Sequence, residues 1–224
     1  MPDADPYLPP PDEGLEVVHL EPGFVVLVKP PGLLSEPGRG PDKRDSLLVR
    51  AQAAYPDARI VHRLDMMTSG LLVLARETRA HAVLSEAFRE RDVHKRYEAL
   101  VHGRPAVPQG DIDLPLTVDW PNRPRQVVCR ETGKPSLTRY RVLGQSRGDG
   151  KGEGGLTRVA LEPVTGRTHQ LRVHLAALGH PIAGDPFYGV AGDTAPRMML
   201  HSCGLEFAHP DTGEPLAFAS AVPF

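Results

Sequence analysis

Prolines and glycines, 24 and 22 of the 224 residues, break this chain into short pieces. Proline removes a backbone donor and fixes φ, and glycine frees it, so both mark turns more readily than element interiors. A chain so punctuated is expected to build many short strands joined by turns rather than a helical bundle. Apolar runs read as strands at Phe24–Lys29, stopped by Pro30-Pro31-Gly32, and at Leu71–Ala75, Tyr97–Val101, Leu137–Leu143, Leu156–Leu161, Leu200–Phe207 and Leu216–Ala219. Two segments carry helical spacing. One runs from a Thr78 cap to about Arg89, with Val83, Leu84, Ala87 and Phe88 on one face; the other runs from a Thr168 cap to Leu178, with Gly179 to end it. Many strands with two helices predict an α+β fold: one domain over residues 15–224, on a mixed and largely antiparallel sheet. Residues 1–14, acidic and Pro-rich, are expected to form a loose tail.

Charge and cysteines narrow the class. The formal net charge is −2, but it is unevenly spread. Residues 1–21 hold six acids and no Lys or Arg, whereas residues 120–141 hold six bases (Arg123, Arg125, Arg130, Lys134, Arg139, Arg141) against Glu131 alone. A local basic surface binds phosphates whatever the total charge, although a solvated face gives the same pattern. Cys129 and Cys203 fit no CxxC spacing, which argues against a disulfide framework and for a reducing cytoplasm. No apolar stretch approaches membrane-spanning length, and no signal-peptide pattern opens the chain. Residues 146–155, SRGDGKGEGG, lack the Ser or Thr of a P-loop after Gly-Lys and read as a hairpin connection.

Three segments hold candidate chemistry. In HRLDMMTSGLLVLA, residues 62–75, Arg63 and Asp65 stand two apart among apolar neighbours. As strand positions they share a face, just before Thr68-Ser69-Gly70 turns the chain. Two readings stay open: an ion pair tying down the turn, which the residue types alone favour, or a chemically active carboxylate. In residues 165–189, Arg167, His169, Gln170, Arg172 and His174 crowd the start of the second helix, where free N–H groups and the dipole favour an anion. In HKRYEALVHG, residues 94–103, Tyr97 beside Lys95 and Arg96 is either a core tyrosine or a ring on which a base stacks. His169 and His174 are five apart, and no HExxH, Cys–His cluster or GxSxG elbow is present, so neither a catalytic metal nor a serine hydrolase is expected.

These segments together resemble a known family. HRLDMMTSGLLVLA is similar to the catalytic motif of the RluA-type pseudouridine synthases, KRYEALVHG to their second motif and GRTHQLRVHLAALGHPIAGDPFYG to their third; LHSCGLEFAHPDTGEPLAF resembles their C-terminal signature. Residues 113–135 resemble the branch that modifies both 23S ribosomal RNA and tRNA; relatives often carry an extra N-terminal S4-like domain, for which the residues ahead of Asp65 leave no room, so none is expected. The resemblance implies a central RNA-binding cleft with Asp65 as nucleophile, Arg167 as the arginine that pairs with it, and Tyr97 as the ring packed on a flipped uracil. It implies that Arg63 fills the vacated place in the RNA, that His62 lines the entrance and that Leu200 supplies an apolar wall. Arg123, Arg125, Arg130 and Lys134 would hold phosphates of structured RNA, 23S rRNA and tRNA stem-loops. No cofactor, no membrane and no obligatory protein partner are implied, and a monomer is expected. The rivals are a synthase with one RNA target, a non-catalytic RNA-binding protein, and a two-carboxylate hydrolase using Asp185, which the resemblance makes a loop anchor instead.

Overall fold

The computed structural model describes residues 7–145 and 155–224. Along the chain run strands β1 (Glu16–Leu20), β2 (Phe24–Lys29), β3 (Arg59–Ile60), β4 (Ser69–Ala75), β5 (His94–His102), β6 (Gln109–Asp113), β7 (Leu116–Val118), β8 (Gln126–Val128), β9 (Leu137–Gln145), β10 (Leu156–Pro163), β11 (Leu200–Ala208) and β12 (Pro215–Ala219). The helices are α1 (Leu47–Ala54), α2 (Thr78–Glu90) and α3 (Gln170–Ala177). The chain forms two compact units, Met1–Val93 with Gly204–Ser220, and His94–Cys203 with Ala221–Phe224. Both are α+β, with few helices and largely antiparallel strand pairs.

In the first unit β1, β2 and β4 lie side by side, with β3 on β4 and the second half of β11 paired to β12. Every residue of β4 is buried, as its unbroken apolar run requires of a strand covered on both faces. Phe24, Val26, Leu71, Val73, Ala80, Leu84, Leu205 and Phe207 close one core. The α2 boundaries match the sequence expectation, but its inward face is turned slightly: Ala80 and Leu84 are buried and Val83 is exposed. Thr78 is the first helical residue, not the cap, and its hydroxyl accepts from Arg59. The expected loose tail is tied down from Tyr7 on. The Tyr7 hydroxyl accepts from the Leu34 N–H and donates to the Asp45 carbonyl, and Arg50 reaches the carbonyls of Pro10 and Pro11 and the Asp45 carboxylate.

In the second unit β5, β10, β9 and β6 pair antiparallel in that order. Their register sets Tyr97, Leu161, Tyr140 and Gly110 in one row across the strands. Gly110 leaves room for the Tyr140 ring, which sits 3.3 Å from where a Cβ would be. β7 and β8 form a separate short hairpin. The Gly-rich connection expected between β9 and β10 falls outside the described residues up to residue 154; the strands that flank it do pair antiparallel.

Candidate active site

Asp65 sits in the loop that links β3 to β4, with its side chain half-buried. Residues 61–68 are not a strand, so the two-residue alternation that put Arg63 and Asp65 on one face does not apply to them. The loop is fixed instead by its backbone. The Thr68 N–H donates to the Asp65 carbonyl at 3.0 Å and closes a tight turn directly after the carboxylate. The Ser35 hydroxyl accepts from the Leu64 N–H at 3.0 Å and donates to the Leu64 carbonyl at 2.9 Å. Beneath them Lys29 is fully buried, its ammonium donating to the carbonyls of Pro30, Leu33 and Met66 at 2.9, 2.7 and 2.9 Å. An ammonium carries three donors, so a ring of carbonyls offsets the large cost of burying its charge. Lys29 was readable as a strand end but not as this anchor; a charge closing the apolar run FVVLVK was the available signal.

Around Asp65 the expected neighbours take different parts. Arg63 points to solvent and pairs with Glu36 at 2.7 Å; its side chain is 65% exposed, so this contact contributes little stability and leaves the guanidinium easy to redirect. His62 is held more firmly. Its Nε2 accepts from the Val73 N–H of β4 at 3.1 Å, and its ring stacks on Phe88 of α2 with centroids 4.2 Å apart.

The second unit holds Tyr97, Arg167 and Leu200. Tyr97 is buried in β5 at 9% exposure, and Leu200 is buried at the start of β11. Arg167 is half-buried on the loop before α3; its Nε donates to the Pro135 carbonyl at 3.3 Å and its backbone N–H to Gln170 Oε1 at 3.0 Å. Gln170 organises this loop. Its Oε1 also accepts from the Thr165 hydroxyl, and its amide nitrogen donates to the Leu137 carbonyl and the Thr138 hydroxyl.

The polar residues of α3 depart from their expected use. The helix begins at Gln170 rather than Thr168, and its cap is His169, in the left-handed region at φ 54 with no capping side chain. The His169 ring turns away to the Tyr188 hydroxyl at 2.8 Å. Gln170, Arg172 and His174 all point inward. Arg172 makes a two-pronged pair with Asp185, Nε–Oδ2 at 2.7 Å and Nη2–Oδ1 at 2.8 Å, and Asp185 Oδ1 also accepts from the N–H groups of Phe187 and Tyr188. Burial alone would push the Asp185 carboxyl up; the Arg172 bonds and charge and the two N–H donors outweigh it and hold the group below its ordinary value. Asp185 is thus a loop anchor. His174 bonds the Leu114 carbonyl through Nε2 at 3.0 Å and the Thr138 hydroxyl through Nδ1 at 2.9 Å. A carbonyl can only accept, so Nε2 carries the proton and Nδ1 accepts; burial lowers its pKa and keeps this ring neutral. Of the polar groups expected to gather an anion at this helix end, Gln170, Arg172 and His174 are committed inside, and Arg167 is half-buried on the loop before it.

The basic stretch has the opposite character. Arg123, Arg125, Arg130 and Lys134 are all exposed, on and after the β7–β8 hairpin. Among the described residues none of the four is in a salt bridge. This hairpin was not foreseen, because its strands of three residues are too short to show a period.

The family model described as RNA pseudouridylate synthase matches residues 23–177, which span the Asp65, Tyr97 and Arg167 segments. Over 220 residues the chain is 46% identical to the Dual-specificity RNA pseudouridine synthase RluA of Escherichia coli (strain K12), covering 97% of this chain and 98% of that one. The protein of the same name from Yersinia pestis is 49% identical over 210 residues, with 93% and 99% covered. Among solved structures, human RNA Pseudouridylate Synthase Domain Containing 1 aligns with a TM-score of 0.79 at 32% identity, over 97% of this chain and 87% of that one. Human RNA Pseudouridylate Synthase Domain Containing 4 aligns at 0.71 and 26% identity, over 93% and 88%. The chain belongs to the RNA pseudouridylate synthase family.

Proposed function

We propose that this RNA pseudouridine synthase isomerises chosen uridines in stem-loops of both 23S ribosomal RNA and tRNA, with Asp65 as its nucleophile. The observation that carries the reading is the placing of Asp65: a half-buried carboxylate on a loop held rigid by backbone bonds and by buried Lys29, inside the segment matched by the family. A nucleophile needs that combination of fixed position and access. The dual target is supported by the name of the relatives, which are dual-specificity enzymes, and by their near-complete coverage of the chain.

In this reading the Asp65 carboxylate takes the sugar anomeric carbon as the bond to uracil N1 breaks. The detached base turns, C5 bonds to the sugar as the bond from that carbon to Asp65 breaks and frees the carboxylate, the C5 proton leaves and N1 takes one up. The balance needs no oxidant and no hydrolysis. Arg167 is the arginine assigned to pair with the Asp65 carboxylate in the reaction. Tyr97 offers its ring to the flipped base, Leu200 an apolar wall, and Arg63, exposed and weakly held, fills the place the base leaves. His62 lines the entrance from its fixed position against Phe88. Extrusion costs a few kcal/mol, which contacts elsewhere on the RNA must offset. Arg123, Arg125, Arg130 and Lys134 provide them at phosphates, positioning the stem-loop without reading sequence. The enzyme works as a monomer in the cytoplasm, without an obligatory protein partner.

Tritium release from RNA labelled at uracil C5 tests this, because C5 loses its hydrogen when it becomes the attachment point. Release is expected from 23S RNA and from tRNA, falling to background in Asp65→Asn while folding and RNA binding persist. Release from one RNA alone would remove the dual target and keep the chemistry. Full release by Asp65→Asn would remove Asp65 from its role.

A further inference from the structure

Trp120 is the chain's single tryptophan, and the residue is 67% exposed at the tip of the β7–β8 hairpin. An exposed ring of this size offers a flat apolar face whose burial against another ring is favourable. The Arg123 guanidinium lies 4.8 Å from the ring centroid and takes one face. Around it are exposed Pro121, Pro124, Arg123 and Arg125 rather than an apolar patch. A protein partner would bury such a ring in a wider hydrophobic surround, whereas unpaired cations about a lone aromatic suit an anionic polymer of flat rings.

The tip is rigid before anything binds. The Asp119 N–H donates to the Arg125 carbonyl, the Asn122 N–H to the Asp119 carbonyl and the Arg125 N–H to the Asn122 carbonyl, each at 3.0 Å. The Gln126 N–H donates to the Tyr188 hydroxyl at 2.7 Å, and the Arg125 guanidinium lies 5.6 Å from the Phe187 centroid. Tyr188 also bonds His169, two residues from Arg167. A rigid chain of contacts thus links the indole to the loop that carries Arg167.

We propose that Trp120, backed by Arg123, is the stacking platform for one unpaired base in the loop of the substrate RNA. The proposal rests on the RNA reading above and adds a contact that its phosphate-binding arginines do not supply. A stack holds any base through its π-face, so the platform fixes how far the loop is splayed, not which base is present. It gives the enzyme a ruler: one loop base is parked on the hairpin while another is presented for chemistry.

Because there is one tryptophan, its emission reports directly on the site. Asp65→Asn protein is titrated with a substrate stem-loop while anisotropy of end-labelled RNA follows binding separately. Emission is expected to be quenched in step with anisotropy, and one loop position made abasic should abolish the quench while the RNA still binds. Trp120→Ala in the otherwise unaltered enzyme should weaken binding about tenfold, the size of one base–aromatic stack, with the thermal midpoint and salt slope unchanged and Trp120→Phe recovering most of the loss. Bound RNA with unchanged emission, a quench indifferent to every abasic position, or an unweakened Trp120→Ala would each overturn the platform and leave the synthase intact. RNA that neither binds nor releases tritium would overturn both.

Discussion

Helix α3 and the β7–β8 hairpin both belong to the second unit, both carry arginine, and they use it in opposite ways. On α3, Arg172 is 3% exposed and locked to Asp185, and His174 is neutral and fully bonded. On the hairpin, Arg123 and Arg125 are exposed and rest on aromatic rings, with no carboxylate paired to them among the described residues. A buried guanidinium left without its carboxylate is costly, so α3 cannot lend Arg172 to a ligand. An exposed one changes partner at little cost, so the hairpin can. Composition alone does not separate these cases; what separates them is whether a carboxylate is built in beside the cation.

The largest expected effect breaks the α3 half of that contrast. Asp185→Asn leaves Arg172 buried without its carboxylate and also weakens the Phe187 and Tyr188 anchors. Loss of one partner of such a pair costs about 3–5 kcal/mol. For a chain of this size that lowers the melting temperature by roughly 10 °C, read by calorimetry. A shift of a degree or two would mean that α3 holds its arginine no more firmly than the hairpin does. The next effect falls on the hairpin. Arg125→Glu should leave the melting temperature within a degree or two and weaken RNA binding about tenfold or more. It should also flatten the dependence of log K on log salt by about one unit. An unchanged salt slope would take Arg125 out of the interface.

How far this contrast could be read in advance depends on what each residue's position is set by. Strands β2 and β4 and helix α2 were legible because apolar period and burial coincide over six or more residues. β7 and β8 were not, since three residues carry no period, and neither was β3, with two. Asp65 was legible as a residue out of place in its apolar surroundings, yet its setting was misread. Strand alternation stops at Ile60, and the loop is shaped by carbonyls gathered on Lys29, contacts between segments far apart in the chain that no local pattern encodes. The helix-end cluster at 167–174 was legible as a cluster and misread as a phosphate site. Its partners lie 13 to 60 residues away, at Asp185, Thr138 and Leu114.

The smallest effect sharpens the contrast through pH. Burial lowers the pKa of His174, and His201 on β11 is lowered to about 4, by burial first and by the Arg197 charge second. In the unfolded chain both titrate near 6.5. Below that pH the unfolded state takes up protons that the folded state refuses, so stability declines as the pH falls from 7 toward 5. The contacts proposed for the hairpin involve neither histidine, so the RNA affinity of the folded protein should change far less over that window. His174→Gln, which can still donate to the Leu114 carbonyl and accept from Thr138, should flatten the stability curve in part, with His201 supplying the rest. Urea unfolding at pH 7 and pH 5 measures this. A variant with the full wild-type decline would show that His174 takes its proton within the fold, and that α3 is less closed to charge than its contacts imply.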